Sequence, residues 1–270
     1  MNRLNQLPTL RIDPSEKRTL KYRGKAYHGV AGDTVATALF ANGVRVFARS
    51  LKYHRPRGLY SLDGECSNTM MDVDGVPNVR TENTLLEDGM QVQAQNVVGS
   101  ADRDWMAFID KLDWMMPAGF YYKTMHKPAA IWPLAMKQIR KAAGLGVISS
   151  DYEMKGKYDE RYMKAEVTVI GGGAAGMAAA LAAAESGRRV ILLEARPHLG
   201  GCFDYRVSAN GAGTALYRRA RELAERVEHT ANIRVFKHTA MVGAYNNNLI
   251  TAFQKGKSGD AFTERYIEIR

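Results

Sequence analysis

The sequence predicts two folded units joined by a connector: an α+β domain over residues 1–99, a connector over 100–162, and an α/β domain over 163–270. Three observations predict this. Short strand-forming runs and one capped helix fill the first hundred residues. An apolar run, a glycine-rich turn, an alanine-rich stretch and a second apolar run follow one another from Glu166 to Leu193. All three tryptophans (Trp105, Trp114, Trp132) lie between those two regions.

In the first region strands are expected at Arg18–Tyr22, Lys25–Tyr27, Thr69–Val73 and Gln91–Gln95. Gly24, Asp74-Gly75 and Asp88-Gly89 mark turns. A helix is expected over Asp33–Asn42. Asp33 and Thr34 supply its cap, Val35, Leu39 and Phe40 share a face, and Gly43 stops it. A hairpin, a helix and further strands suggest a β-grasp. In the connector, helices are expected at Trp105–Met115 and Leu134–Ala143, around the proline-punctuated PAGFYYKTMHKPAAIWP. So apolar a segment is expected to pack on a neighbour or a partner chain rather than swing free.

The third region begins β-α-β, with strands at Glu166–Ile170 and Arg189–Leu193 around a helix at Ala174–Ser186. A helix at Thr214–Val227 follows, with Leu216, Ala220 and Leu223 on one side. Short strands are expected at Asn232–His238, Val242–Tyr245, Leu249–Gln254 and Thr263–Ile269.

The bulk composition narrows the function classes. A chain of 270 residues with 46% hydrophobic and 24% charged residues can bury a core, which argues against wholesale disorder. The net charge of +10 admits nucleic acid, an anionic surface or an acidic partner. Cys66 and Cys202 form neither a disulfide framework nor a zinc pattern. No apolar leader or membrane-spanning stretch is evident, so a cytoplasmic protein is expected.

The clearest chemistry lies in VTVIGGGAAGMAAALAAAESGRRVILLEA. Gly171, Gly173 and Gly176 form G-x-G-x-x-G directly after a strand and at the start of a helix. The first glycine permits the tight turn, the second admits a pyrophosphate to the backbone, and the third allows helix and strand to approach closely. The free N–H groups at Ala174 and Ala175 then meet the phosphates. Glu194 ends the second strand, 18 residues after Gly176, where a carboxylate accepts from ribose hydroxyls and repels a 2′-phosphate. The pattern therefore predicts a Rossmann-type domain binding NAD or FAD in preference to NADP. Ala195, Arg196 and the pair Gly200-Gly201 complete the expected cofactor-binding set. An E…GG spacing of this kind resembles the flavoprotein disulfide reductase type of domain. An ordinary loop is the alternative for Gly200-Gly201. Cys202 has no CxxC partner and is expected to be a plain loop cysteine.

The first region, through GDTVATALFANGVRVFARSLKYHRPRGLY and DVDGVPNVRTEN, resembles the ferredoxin-like domains that precede such flavoproteins. In cluster-binding members, that resemblance places four cysteines where this chain has Ser61, Cys66, Thr69 and Glu82. One cysteine and no histidine between Gly58 and Glu82 cannot ligate a [2Fe–2S] cluster, so no Fe–S cluster and no metal site are expected. The basic cluster Arg45, Arg49, Lys52, His54, Arg55 and Arg57 has three readings: a nucleic-acid patch helped by Tyr53 and Tyr60, a solvated loop, or an anchor for phosphates or partner carboxylates. Beside a dinucleotide fold, nucleic acid is the least favoured.

Taken in order, the KYHRPRG domain, the connector AGFYYKTMHKP…WP…IRKAAGLG and the glycine-rich turn resemble the N-terminal part of the alpha subunits of heterotetrameric sarcosine oxidases. That resemblance implies oxidative demethylation of sarcosine by oxygen, giving glycine, hydrogen peroxide and a formaldehyde unit that can pass to tetrahydrofolate. It implies NAD in this chain at Gly171, Gly173, Gly176 and Glu194, FAD in a beta subunit, and FMN between the two. The amine-oxidising residues would then lie outside this chain, and neither His126 nor His198 is assigned a catalytic role.

Two other readings stay open. One is a related flavoprotein subunit, such as hydrogen cyanide synthase or an opine dehydrogenase, with FAD in the Rossmann site. The other is a non-catalytic scaffold. Family members run longer, and the sequence ends before the return strand that would close the pocket. The 270-residue chain alone is therefore expected to bind dinucleotide weakly; calorimetry giving micromolar or tighter NAD binding would contradict this.

Overall fold

The computed structural model describes all residues except 1–11, 61–63, 65, 117, 120–122, 124–126, 143–145, 147, 149, 152, 154–155, 205–211 and 257–258. The chain divides into two compact units, with the division after residue 152. The connector up to that point groups with the first unit. The division falls ten residues before the expected start of the α/β domain, because a strand at residues 158–163 joins a sheet of the second unit.

The first unit is built on a five-stranded sheet. Its strands are β1 (Asp13–Tyr22), β2 (Lys25–Ala31), β5 (Met70–Val73), β6 (Val76–Arg80) and β7 (Met90–Ala94), in the order β2-β1-β7-β5-β6. The short β3 (Ala48–Arg49) and β4 (Pro56–Arg57) pair separately. Only β1 and β7 run parallel, and α1 (Val35–Ala41) packs on the sheet, which is the expected β-grasp. Two-residue turns with positive φ, Arg23-Gly24 and Asp74-Gly75, close the β1–β2 and β5–β6 hairpins. β6 was not anticipated, because VPNVR contains a proline and its side chains are largely exposed.

Helix α1 begins where the sequence places it, but the cap is Thr34. Thr34 and Thr37 satisfy each other's backbone in a capping box. Asp33 is buried and instead accepts from Val30 N at 2.9 Å and Thr37 Oγ1 at 3.1 Å. Val35, Ala36, Ala38 and Leu39 face the core with Leu20, Tyr22, Phe47, Met71 and Val92. Phe40, expected on that face, is exposed, and the Arg45 guanidinium stacks on its ring at 4.0 Å.

The Trp105–Met115 run is 3-10 rather than α-helical and breaks at Leu112. It buries no residue, so no apolar face drives a regular helix, and Trp105 and Trp114 are exposed. It packs instead by polar contacts with the 49–57 loop. Helix α2 (Trp132–Ala142) follows.

In the second unit, β9 (Val167–Ile170), β10 (Val190–Leu193) and β11 (Ile233–Phe236) form a parallel sheet ordered β11-β10-β9. α3 (Ala174–Glu185) connects β9 to β10, and α4 (Ala212–His229) precedes β11. A four-stranded sheet ordered β12-β13-β14-β8 joins β8 (Tyr158–Met163) to the meander of β12 (Thr239–Tyr245), β13 (Leu249–Lys255) and β14 (Glu264–Ile269).

Every residue of β10 is buried because its two faces meet different partners. Val190 and Leu192 pack against α3 and α4 through Met177, Leu181, Ala224 and Val227. Ile191 and Leu193 pack with Ala252, Ile267 and Ile269 of the meander. Leu216 of α4, expected on the apolar side, is 41% exposed. β8 was not expected because YDERYM reads polar; it is recruited by pairing with β14 in parallel register. A bidentate ion pair spans the two strands, with Arg265 Nε and Nη2 donating to Asp159 at 2.6 and 2.8 Å.

Arg265 holds the Asp159 carboxyl below the ordinary carboxylate value, chiefly through this hydrogen bond. A depressed folded value stabilises the protein above the ordinary value and the contribution is lost as pH falls through the depressed one. Asp159→Asn is therefore expected to lower the thermal midpoint at neutral pH. The gap to the unsubstituted protein should close below the ordinary value of 3.8, as followed by circular dichroism.

Candidate functional site

The glycine-rich turn leaves β9 at Ile170. Gly171 has φ +96 and its N–H donates to Leu193 O at 2.8 Å, which joins the turn to the end of β10. Gly173 caps α3 with no side-chain hydrogen bond. The first-turn N–H groups of Ala174, Ala175 and Gly176 are therefore not capped by a side chain at that position, and they present the positive end of the helix dipole. A Cβ on Gly176 would lie 1.9 Å from Gly171 O, so only hydrogen fits there.

Glu194 stands at the end of β10 with its backbone held on both sides. Its N–H donates to Phe236 O at 2.8 Å, and its carbonyl accepts from Thr239 N at 2.8 Å. The side chain, 8% exposed, turns toward the glycine loop. Oε2 accepts from Gly172 N at 2.6 Å and Oε1 from Arg196 N at 2.7 Å. A carboxylate has about four acceptor positions. Two are taken by backbone, which leaves one on each oxygen, the arrangement a vicinal ribose diol requires.

The second glycine pair joins the same site. Gly200 N donates to Gly172 O at 2.9 Å, and Gly173 and Gly200 form a parallel bridge. A Cβ on Gly201 would come 2.9 Å from Gly173 Cα, so the two loops touch backbone to backbone. Leu199, fully buried, anchors the second loop in the core. Ala195 is exposed and Arg196 half-buried at the exit from the turn. Cys202 is exposed. All ten sequence-predicted residues thus cluster around one turn. What pattern reading missed is the backbone part of Gly172, since the middle position of G-x-G can be any residue. His198 is half-buried in the loop before Leu199, and His126 falls outside the described residues.

Of the four positions where cluster cysteines would fall, three are described. Thr69 Oγ1 donates to Glu82 Oε1 at 3.1 Å, and both residues are buried. Thr81 Oγ1 donates to Thr69 O at 2.6 Å. Cys66 caps the adjacent 3-10 turn, its Sγ accepting from Asn68 N at 3.3 Å. Ser61 lies outside the described residues. Among the described residues no group of three or more metal-ligating side chains forms.

Comparison with known proteins agrees with this division. Residues 15–97 match the family described as a 2Fe-2S iron-sulfur cluster binding domain, and residues 166–261 match the family described as FAD dependent oxidoreductase. The chain is similar to sarcosine oxidase subunit alpha from Rhizobium meliloti (strain 1021), with 33% identity over 90% of this chain and 25% of that protein. It is also similar to sarcosine oxidase subunit alpha from Corynebacterium sp. (strain P-1), with 28% identity over 93% of this chain and 22% of that protein. The chain thus spans about a quarter of the length of these relatives. The crystal structure of L-proline dehydrogenase from P. horikoshii shares the fold, with a TM-score of 0.53 at 18% identity, covering 97% of this chain and 40% of that one. The resemblance read from the sequence is borne out: the chain is similar to the N-terminal portion of such alpha subunits.

The close approach at Gly176 sets a test. Gly176→Ala forces α3 and the turn apart and is expected to destabilise the second unit by about 1–3 kcal/mol. Urea unfolding followed by circular dichroism measures the shift.

Proposed function

We propose that this chain supplies the dinucleotide-binding part of a sarcosine-oxidase-like flavoenzyme, and that an adenine dinucleotide binds along Gly171–Gly176, Glu194 and Gly200–Gly201. The observation that carries the reading is the Glu194 carboxylate, held by two backbone N–H groups with one acceptor position left on each oxygen. Such a carboxylate takes the adenosine ribose hydroxyls, and the α3 N-terminus and the adjoining glycine loop take the pyrophosphate. A 2′-phosphate would meet the Glu194 charge, which disfavours NADP. When bound, the dinucleotide supplies hydride or electron transfer. This chain's residues bind and orient it, and no acid–base pair is assigned to them.

NAD is the first choice of ligand, on the resemblance to the alpha subunits. FAD is the second reading, and the match of residues 166–261 to an FAD dependent oxidoreductase family supports it. Both share the adenosine diphosphate half that this site recognises. The reaction proposed for the assembled enzyme is oxidative demethylation of sarcosine. A partner beta subunit would carry the FAD at which the amine is oxidised, and FMN would lie at the interface of the two subunits. A cytoplasmic location belongs to the same reading; among the described residues no helix is long and apolar enough to cross a membrane. The β-grasp domain is proposed to keep the ferredoxin fold without an Fe–S cluster. The Thr69–Glu82 hydrogen bond supports this, because it joins two positions where cluster-binding relatives have cysteines. No role in nucleic-acid binding is proposed.

Glu194→Gln tests the site. Loss of a charge-assisted acceptor is worth about 1.5–3 kcal/mol, or roughly 10–100-fold in affinity. Calorimetric titration of the purified chain with NAD and with FAD is expected to show a loss of that size for the ligand that belongs here. Equal affinity of both proteins for both ligands would defeat the assignment.

A further inference from the structure

The first unit holds a cavity of about 600 Å³ that the dinucleotide reading does not use. Its walls come from residues 48–53, 55 and 57, from Ser67, Asn68 and Met70 of the former cluster loop, and from Asn78, Gln95 and Asn96. Arg49, Lys52, Arg55 and Arg57 are among the lining residues, and among the described residues no carboxylate is. Like charges gathered in one concavity repel each other and focus a positive field into it, an arrangement that an anion relieves.

The cationic loop is pinned from outside by the residues that follow β7. Arg49 donates to the carbonyls of Ala101 at 2.7 Å, His54 at 2.9 Å and Asp102 at 3.2 Å. Tyr53 Oη donates to Met116 O at 2.7 Å, and Lys52 Nζ donates to the same oxygen. His54 Nδ1 lies 2.6 Å from the Asp104 carboxylate, with both side chains buried. Asn96 Nδ2 donates to the carbonyls of Arg49 and Ser50. Arg49 thus spends its donors on neutral carbonyls, which fix its position and leave its charge in place. Arg55 is offset by Asp110 and Asp113. Among the described residues, Arg57 makes only a long contact, 3.5 Å, with Asn68 Oδ1. Arg49 and Arg57 thus meet no carboxylate among the described residues, and the loop is held in place, so an incoming anion need not pay to order it.

We propose that this cavity is a binding site for a small organic phosphate of nucleotide size, with its terminal phosphate on Arg57 and the neighbouring cations. A phosphate dianion brings three terminal oxygens and two charges to the Arg57 guanidinium and the Arg49 charge, whereas a single carboxylate brings two oxygens and one charge. The volume lies within the usual range of about 300–1,000 Å³ for small-ligand sites. Leu51, Tyr53 and Met70 supply apolar surface for the rest of the ligand, and the Asn78 and Gln95 side chains supply amides. A nucleic acid would need a continuous basic stripe, which the cluster does not form. Arg45 is turned onto Phe40, His54 is buried against Asp104, and neither lines the cavity.

Hydrogen–deuterium exchange of the intact chain tests this, because it reports where a ligand acts. The probes are millimolar pyrophosphate, AMP and, as a tricarboxylate, tricarballylate. Pyrophosphate and AMP are expected to slow exchange in peptides covering residues 48–57 and 67–70. Tricarballylate should act at least roughly tenfold more weakly there. Arg57→Gln is expected to weaken that protection by roughly tenfold, about one charge-assisted contact, and Arg57→Lys by less. Glu194→Gln should leave it unchanged, which separates this site from the dinucleotide turn. Arg57 is exposed, and unchanged exchange in the sheet strands checks that each variant is folded. Absence of protection in those peptides would overturn the proposal. So would protection that survives Arg57→Gln, or equal protection by tricarballylate.

Discussion

The Glu194 carboxylate accepts the Gly172 and Arg196 N–H groups, and the second unit's glycine-rich turn depends on those two bonds. Gly172 lies in the middle of the glycine-rich turn, and Glu194 at the tip of the central parallel strand. The bonds therefore lock the turn to the strand that is buried on both faces. A buried carboxylate is costly unless it is hydrogen-bonded. Backbone donors serve well here because they hold the carboxylate without neutralising its charge. The contact of Gly201 with Gly173 then sets the second loop against the first, and an added Cβ would break it.

In the first unit the residues at and around the cluster positions named above bond to one another. Thr69 and Glu82 bond to each other, Thr81 bonds to the Thr69 carbonyl, and Cys66 caps a turn. The core of Leu20, Tyr22, Leu39, Phe47 and Met71 is built from residues outside that loop. The loop instead contributes Ser67, Asn68 and Met70 to the wall of a cationic cavity. The aromatic connector takes part in the same construction. Its 3-10 run buries none of its own residues, yet it carries Asp110, Asp113 and the Met116 carbonyl, which hold Arg55, Lys52 and Tyr53. Its expected packing on a neighbour is thus a set of polar contacts with the basic loop, and its tryptophans Trp105 and Trp114 remain exposed.

Much of the fold was legible because its signals are local. The β-α-β start, the helix over Ala212–His229 and four of the first unit's five sheet strands follow from apolar periodicity, caps and glycine turns within a few residues of each other. The misses share one cause: tertiary partners overrode local character. β8 is polar and exists through its pairing with β14 and the Arg265–Asp159 ion pair. β6 contains Pro77 and is held by β5. Phe40 and Leu216 fit their helical faces by spacing, but both are exposed and belong to neither core.

By itself the sequence determined the class of the two units, the glycine-rich turn with the acid at the end of the next strand, and the likeness to sarcosine oxidase alpha subunits. Each of these rests on residue identities at fixed short spacings, and a strand–turn–helix leaves the backbone little choice once the glycines are in place. Only the tertiary structure decided that Gly200–Gly201 meets Gly173, that Glu194 spends half its acceptor capacity on backbone, and that four of six clustered basic residues line one cavity while Arg45 and His54 turn away. Those outcomes depend on segments brought together across tens of residues. Their relative placement is fixed by core packing, which no short spacing records.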